Sequence, residues 1–361
     1  MNPDATPSVI ALDAMGGDLG PAEVAAGLGI ALDRLSPDES VTLVGDEAVL
    51  KPILKASGMD SDSRVRTHHA GQIIGMDEKP IAALKRGKDA SMVRAIELVK
   101  EGMAKAVISL GNTGALMAGG TLKLRPLEGI ERPALACIMP NRGGHFVLCD
   151  AGANPTSRPE HLVHNAILAS HYAEVVLKIA SPRIGLLTIG TEEGKGTDRI
   201  QETHNHLKRL SDLLNYVGPI EGFQVFEDQV DVIITDGFTG NILLKTCEGL
   251  YKFIKEAVKD ELNKNPLRQL GGLLSRGAYK GLRTRLGPEQ YGAARLLGLR
   301  GHVFKAHGSS NRHAVAGAIR IAIDVAHHDM TDIIRNEIDQ ANTAMNPSDY
   351  LNQPEAASGS G

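Results

Sequence analysis

Short runs of aliphatic and β-branched residues alternate along this chain with longer stretches in which apolar positions recur every three or four residues. Residues 9–13 (VIALD), 41–45 (VTLVG), 106–110 (AVISL), 146–150 (FVLCD), 184–190 (IGLLTIG) and 230–235 (VDVIIT) read as strands. Residues 21–35, 91–102, 158–178, 196–214 and 240–262 read as helices. The strands are close to continuously apolar, the mark of strands covered on both faces. Alternating them with helices builds a parallel sheet flanked by helical layers. The pattern therefore predicts an α/β fold, a three-layer α/β/α doubly wound and mostly parallel sheet, in a single large domain over residues 8–330. No internal repeat is visible. The last stretch, 346–361 (NPSDYLNQPEAASGSG), is polar and rich in Pro, Gly and Ser, and is expected to be a disordered tail.

Composition narrows the function classes. With 361 residues, 42% of them hydrophobic, the chain can bury a sizeable core. Its 40 glycines imply tight turns and close approaches of backbone to ligand. Aromatic residues make up 3% and Trp is absent, which argues against a base-stacking nucleic-acid platform. A formal net charge of −4 supplies no basic field, so no nucleic-acid partner is expected. The three cysteines, Cys137, Cys149 and Cys247, have no paired spacing, which speaks against a disulfide framework or a zinc cluster and for a reducing cytosol. The opening MNPDATP lacks the basic and apolar regions of a signal peptide. No apolar run approaches the ~20 residues of a spanning helix. The expectation is a cytoplasmic protein, soluble or lying on a membrane surface.

Ligands of such sheets bind beyond the carboxyl ends of the strands. Gly, Asn, Thr and Asp concentrate there: Asp13 to Asp18 (DAMGGD), Gly111 to Gly114 (GNTG), Asp150 to Asn154 (DAGAN), Gly190 to Gly196 (GTEEGKG), Asp236 to Asn241 (DGFTGN) and His307 to Asn311 (HGSSN). Short glycine loops that open helices present unpaired N–H groups to an anion. Taken singly, Thr113 and Thr239 read as helix caps. Several such loops, expected to converge at one sheet edge, favour a phosphate-sized site. Lys195, between Gly194 and Gly196, is either a solvated loop lysine or a cation for an anionic substrate or a developing oxyanion. Asp13, Asp18, Asp150 and Asp236 suit acid–base work, metal ligation or Asx capping, the last favoured for Asp150. None of the thirteen histidines sits in an HExxH, and His307 is placed beside Gly308, Ser309 and Ser310. No G-x-S-x-G elbow appears, no G-x-G-x-x-G follows the first strand, and Cys149 and Cys247 read as core thiols.

One segment breaks the acidic average. Residues 262–288 carry Lys264, Arg268, Arg276, Lys280, Arg283 and Arg285 and no acid. Leu267, Leu270, Leu274 and Ala278 fall on one helical face, with Arg268, Arg276 and Arg283 opposite. That amphipathic pattern suits an anionic membrane or an acidic partner, or a helix packed on the core with a solvated basic face. Gly271 and Gly272 weaken a straight helix there.

Eight blocks stand in order between about residues 9 and 326: ALDAMGGDLGP, GNTGALMA, ERPALA, DAGAN, TIGTEEGKG, TDGFTGN, YGAARLLGL and KAHGSS. Together they resemble the bacterial phosphate acyltransferases, the acyl-ACP:phosphate transacylases of phospholipid synthesis. The chain departs from the family's common pattern in small or apolar positions only, at Leu110, Ala151 and Ala293. The resemblance implies an α/β/α fold related to phosphotransacetylases and isopropylmalate-type dehydrogenases, a homodimer, no metal and no cofactor. It implies acyl carrier protein and inorganic phosphate as partners, peripheral contact with the inner face of the membrane, and hand-off of acyl phosphate to a membrane glycerol-3-phosphate acyltransferase. Lys195 and Asn241 become the expected catalytic residues. Asp13, Gly16, Gly17, Asp18, Asn112, Thr113, Asn154, Asp236, Thr239, Gly240, His307, Ser309 and Ser310 become the expected substrate or phosphate contacts. Arg268, Leu270, Leu274, Arg276 and Lys280 become the expected membrane or carrier-protein contacts. The chemistry agrees, since a thioester is already activated and needs only an oriented phosphate and a held oxyanion. The competing readings are a CoA-dependent phosphotransacetylase and a non-catalytic scaffold that holds acyl carrier protein at a membrane.

Overall fold

A computed structural model of the chain describes residues 8–192, 194–287, 293–328 and 330–345. The elements run β1 (Ser8–Asp13), α1 (Pro21–Ala31), β2 (Val41–Gly45), α2 (Glu47–Ala56), β3 (Val65–His69), α3 (Pro80–Arg86), α4 (Ser91–Lys100), β4 (Ala104–Ser109) and α5 (Thr113–Leu124). They continue with β5 (Ala134–Pro140), β6 (His145–Cys149), α6 (Pro159–Leu177), β7 (Ile184–Thr188), α7 (Asp198–Arg209), β8 (Tyr216–Glu221), β9 (Val232–Ile234) and α8 (Gly237–Asn263). The last are α9 (Pro266–Leu274), α10 (Arg276–Leu286), β10 (Ala293–Leu297), β11 (His302–Ala306), α11 (Arg312–Ala326) and α12 (Thr331–Met345).

All eleven strands share one sheet, in the order β3-β2-β1-β4-β11-β10-β5-β6-β9-β7-β8. Seven of its ten pairings are parallel; β10–β11, β10–β5 and β5–β6 are antiparallel. Helices cover both faces. One face buries Ile10, Leu12, Ile108, Phe304, Val147 and Ile234 with residues of α1, α6 and α11. The other face carries two separate cores. One packs Ala11, Val107 and Val303 with α4 and α5, and the other packs Leu135, Leu148 and Ile233 with Leu243, Leu244 and Cys247 of α8. The three-layer, mostly parallel α/β expectation holds.

Two hairpins decide the chain directions. Between β5 and β6 the chain reverses at Asn141 to Gly144, where the Asn141 N–H donates to the Gly144 carbonyl at 3.0 Å and the Gly144 N–H donates to Asn141 Oδ1 at 2.7 Å. Strands β9, β7 and β8 join β6 in parallel and inherit its reversed direction. The carboxyl ends of β1, β4 and β11 therefore lie at one sheet edge, and those of β6, β9 and β7 at the opposite edge. This corrects the expectation that all the glycine loops meet at one edge.

Several boundaries also shift. The helix read at 240–262 starts at Gly237, because Asp236 caps it by accepting from the Thr239 N–H at 2.8 Å. The strand edges β3 (VRTHH) and β8 (YVGPIE) carry no apolar run and escape a pattern reading. Helix α12 packs on α6 and buries Ile338, Ala341 and Met345, so the packed unit runs past residue 330. The tail at 346–361 lies outside the described residues.

Candidate active site

At the first edge the loops after β1, β4 and β11 interlock. Ser109 Oγ donates to Asp13 Oδ2 at 2.5 Å and accepts from the Gly111 N–H at 3.0 Å. Burial pushes the Asp13 carboxyl above its ordinary range, opposed by hydrogen bonds from Ser109, Ser91, Met15 and Gly16. Gly16 lies so close to the Gly111 backbone that a Cβ on it would stand 2.7 Å from the Gly111 nitrogen. The Asp18 N–H donates to the Gly308 carbonyl at 2.8 Å, and Gly17 packs on Leu110. His307 Nδ1 faces Ser309 Oγ at 2.8 Å, both exposed, while Ser310 is buried and donates its N–H to the His307 carbonyl.

Asn112 is spent inside the fold. Its Oδ1 caps α5 by accepting from the Ala115 N–H, and its Nδ2 is shared by the carbonyls of Gly75, Met76 and Glu78 at 2.9–3.2 Å. It is a positioning residue, not the free donor that the sequence suggests. Because Asn112 and Asp236 cap α5 and α8, the neighbouring Thr113 and Thr239 are not the caps, and both are exposed.

At the second edge Asp150 organises the loop. Its carboxylate accepts from the N–H groups of Leu135, Gly152, Ala153 and Asn154 at 2.7–3.1 Å, and from Asn154 Nδ2. Burial nevertheless raises its pKa. The Asx-type reading of Asp150 is correct. Asn154 donates Nδ2 to the Pro133 carbonyl as well, and its own carbonyl receives the Gly237 N–H, so its side-chain donors are also committed. Asp236 is paired with Arg199 of α7 at 2.5 Å, and Arg199 reaches the Ser157 carbonyl with its other terminal nitrogen. Gly240 abuts the Asp150 carbonyl closely enough to exclude any Cβ. Asn241, one residue on, is exposed and lies against Gly152. Lys195 is exposed in the loop after β7, the strand beside β9, and makes no ion pair among the described residues.

Two charged groups were missed by sequence reasoning. Arg199 follows the GKG loop directly (GKGTDR), and only its pairing with Asp236 distinguishes it from a surface arginine. Lys305 sits in the KAHGSS block, in a polar row across the sheet: Asp13 is opposite Ser109, Ser109 opposite Lys305, and Lys305 opposite Ala294. That row lies on the face shared by the two separate cores, between the α4–α5 cover and the α8 cover.

The basic segment is not one helix. It breaks at Ser275 into α9 and α10, so Leu267, Leu270 and Leu274 belong to one helix and Ala278 to the next. Leu267, Leu270, Leu273 and Leu274 are 53–80% exposed, too much apolar surface for a helix packed on the core. Arg268 and Lys264 both pair with Glu261 of α8, whereas Arg276 and Lys280 are exposed and make no ion pair among the described residues. No helix among the described residues is long and apolar enough to cross a membrane.

A family model for fatty acid synthesis proteins matches residues 8–332. The phosphate acyltransferase of Magnetococcus marinus is 40% identical over 333 residues, covering 91% of this chain and 95% of its own. That of Methylococcus capsulatus is 42% identical over 323 residues, covering 88% and 92%. The chain belongs to the phosphate acyltransferase family. Like other phosphate acyltransferases it is an enzyme that transfers an acyl group to phosphate. The phosphate acyltransferase fold seen here is shared with a phosphotransacetylase from Streptococcus pyogenes, at a TM-score of 0.62 and 16% identity over 89% of this chain and 94% of that one. A branched-chain phosphotransacylase from Enterococcus faecalis superposes at 0.52 and 14% identity, over 88% and 100%.

Proposed function

We propose that the acyl donor is acyl-[acyl carrier protein] and that the acyl phosphate formed feeds phosphatidic acid synthesis. A phosphate oxygen attacks the thioester carbonyl carbon, the C–O bond forms, and the tetrahedral oxyanion collapses with cleavage of C–S. The carrier's thiolate leaves with the electron pair and takes a proton from solvent. No acyl-enzyme is needed. Lys195 and Asn241 between them hold the phosphate and the carbonyl oxygen as negative charge develops. The observation that carries this reading is their setting: a loop cation with no ion pair among the described residues and an exposed amide follow the adjacent parallel strands β7 and β9. Asp18, His307 and Ser309, in the loops after β1 and β11, are the further substrate contacts of this proposal, and the buried Asp13 holds their loops through Ser109 and Met15.

The carrier protein is acidic, and Arg276 and Lys280 on α10 offer exposed positive charge to it or to an anionic lipid surface. The exposed leucines of α9 favour peripheral attachment at the inner face of the membrane, where a glycerol-3-phosphate acyltransferase would receive the labile product. Leu250, Phe253 and Ile254 on α8, 48–67% exposed, form a separate apolar face suited to a homodimer. The deciding experiment incubates the full chain with acyl-ACP and phosphate and follows acyl phosphate and free carrier together. Turnover of acetyl-CoA in place of acyl-ACP would favour a phosphotransacetylase, and carrier binding without turnover would favour a scaffold.

A further inference from the structure

We propose that Lys305 is a further catalytic residue, which seats the attacking phosphate on the floor of the gap between α5 and α8. The inference rests on the phosphate-transfer reading and locates one of its substrates.

Three features of the fold support it. First, the half-buried Lys305 ammonium makes no ion pair among the described residues. Nζ donates to the carbonyl of Leu110 at 3.4 Å and to that of Ala306, which leaves one of its three N–H donors open. Asp18 and Asp13 act on this charge without forming an ion pair with it, so a desolvated ammonium hydrogen-bonded to two carbonyls would still gain from a closer anion in the gap. Second, the surroundings supply what a phosphate needs. Leu110 leads into α5, whose Thr113 and Gly114 N–H groups have no partner among the described residues. Third, α8 brings a second cation to the gap. Lys245 stands one helical turn after Asn241, on the same helix face, and close enough to Lys305 to act on its charge. Burial chiefly, and then Lys245, push the Lys305 ammonium down to about 8, while Asp18 and Asp13 oppose the shift. Lys245 is paired with Glu248 at 2.7 Å, which leaves it further N–H donors for an anion seated between the two ammonium groups.

Phosphate seated by Lys305 lies on the α5 side of the gap and presents an oxygen toward α8, where Asn241 meets the thioester carbonyl. Lys195, at the far edge, then serves the acyl side of the reaction. In the free enzyme the ammonium form is the binding form, so phosphate capture is strong below about pH 8 and is lost as pH rises through it.

The test uses Lys305→Met and Lys305→Arg in the full chain, with phosphate as the varied substrate. Loss of a charged hydrogen bond predicts a rise of about 10- to 100-fold in KM for phosphate in Lys305→Met, little change in KM for acyl-ACP, and partial retention in Lys305→Arg. The alkaline fall in kcat/KM for phosphate near pH 8 should move to higher pH in Lys305→Arg. A folded Lys305→Met enzyme with an unchanged KM for phosphate would overturn the assignment. Wild-type enzyme that makes no acyl phosphate from acyl-ACP would overturn the proposed donor instead. In that case, and if Lys305→Met fails to fold, amine acylation of the wild type with and without inorganic phosphate decides the point. Protection of Lys305 by phosphate supports the site, and equal labelling refutes it.

Discussion

Arg199 Nη2 donates to Asp236 Oδ2 at 2.5 Å, and the other oxygen of that carboxylate caps α8. One side chain therefore ties α7 to the first turn of the helix that carries Asn241. Asp236 is buried, so removal of Arg199 leaves an unpaired charge at a helix start. Arg199→Leu should cost roughly 2–4 kcal/mol of stability, read as a lower urea midpoint. Asp236→Asn keeps a capping oxygen and should cost less. The double variant should be less destabilised than the sum of the two single changes. A fully additive cycle would show that the pair is only proximate.

Gly240 has no room for a methyl group against the Asp150 carbonyl, whereas Gly249, on the same helix, would place a Cβ in open space. Gly240→Ala should shift α8 away from the 150–154 loop and lower the melting temperature sharply. Gly249→Ala should be neutral, or stabilise by up to about 1 kcal/mol through helix propensity. Thermal unfolding of the two variants side by side reads the difference, and similar melting temperatures would contradict the close packing.

Lys195→Ala and Asn241→Ala should each lower turnover by ~10²–10³-fold, the loss typical of one oxyanion-type donor, with the fold intact by circular dichroism. Near-normal turnover in both variants would remove these residues from the chemistry.

Burial pushes the Cys137 thiol up to about 12, pushes Cys149 well above its ordinary value and raises Cys247. Thiolate is the nucleophilic form, so at neutral pH these thiols are inert. Intact-protein mass spectrometry after addition of acyl-ACP without phosphate should show no acyl adduct. A stoichiometric adduct on Cys149, Cys247 or Ser309 would require a two-step mechanism.

The α9 leucines should drive binding to anionic vesicles. Each basic residue near the bilayer adds about 1 kcal/mol, screened over a Debye length of ~8 Å, so binding should weaken as salt rises. Leu270→Glu or Leu274→Glu should abolish co-sedimentation while leaving turnover with soluble acyl-ACP unchanged. Equal binding to neutral and anionic vesicles, or intact binding of the Glu variants, would assign α9 to another partner.

The alternation of buried strands and helices, the glycine loops and the phosphate acyltransferase blocks all follow from local residue order, because periodicity and turn chemistry act over a few residues. The loop positions of Lys195 and Asn241 are legible for that reason. What the loops do relative to one another was not. The turn at Asn141 to Gly144 reverses half the sheet, and its consequence is felt only after strands distant in sequence have paired. The spent amides of Asn112 and Asn154 are likewise fixed by carbonyls 21 to 37 residues away in sequence. Lys305 reads as one more strand lysine until β4 and β11 pair side by side. Its exposure, its lack of an ion pair among the described residues and its charge are then set by neighbours that only the tertiary structure brings together.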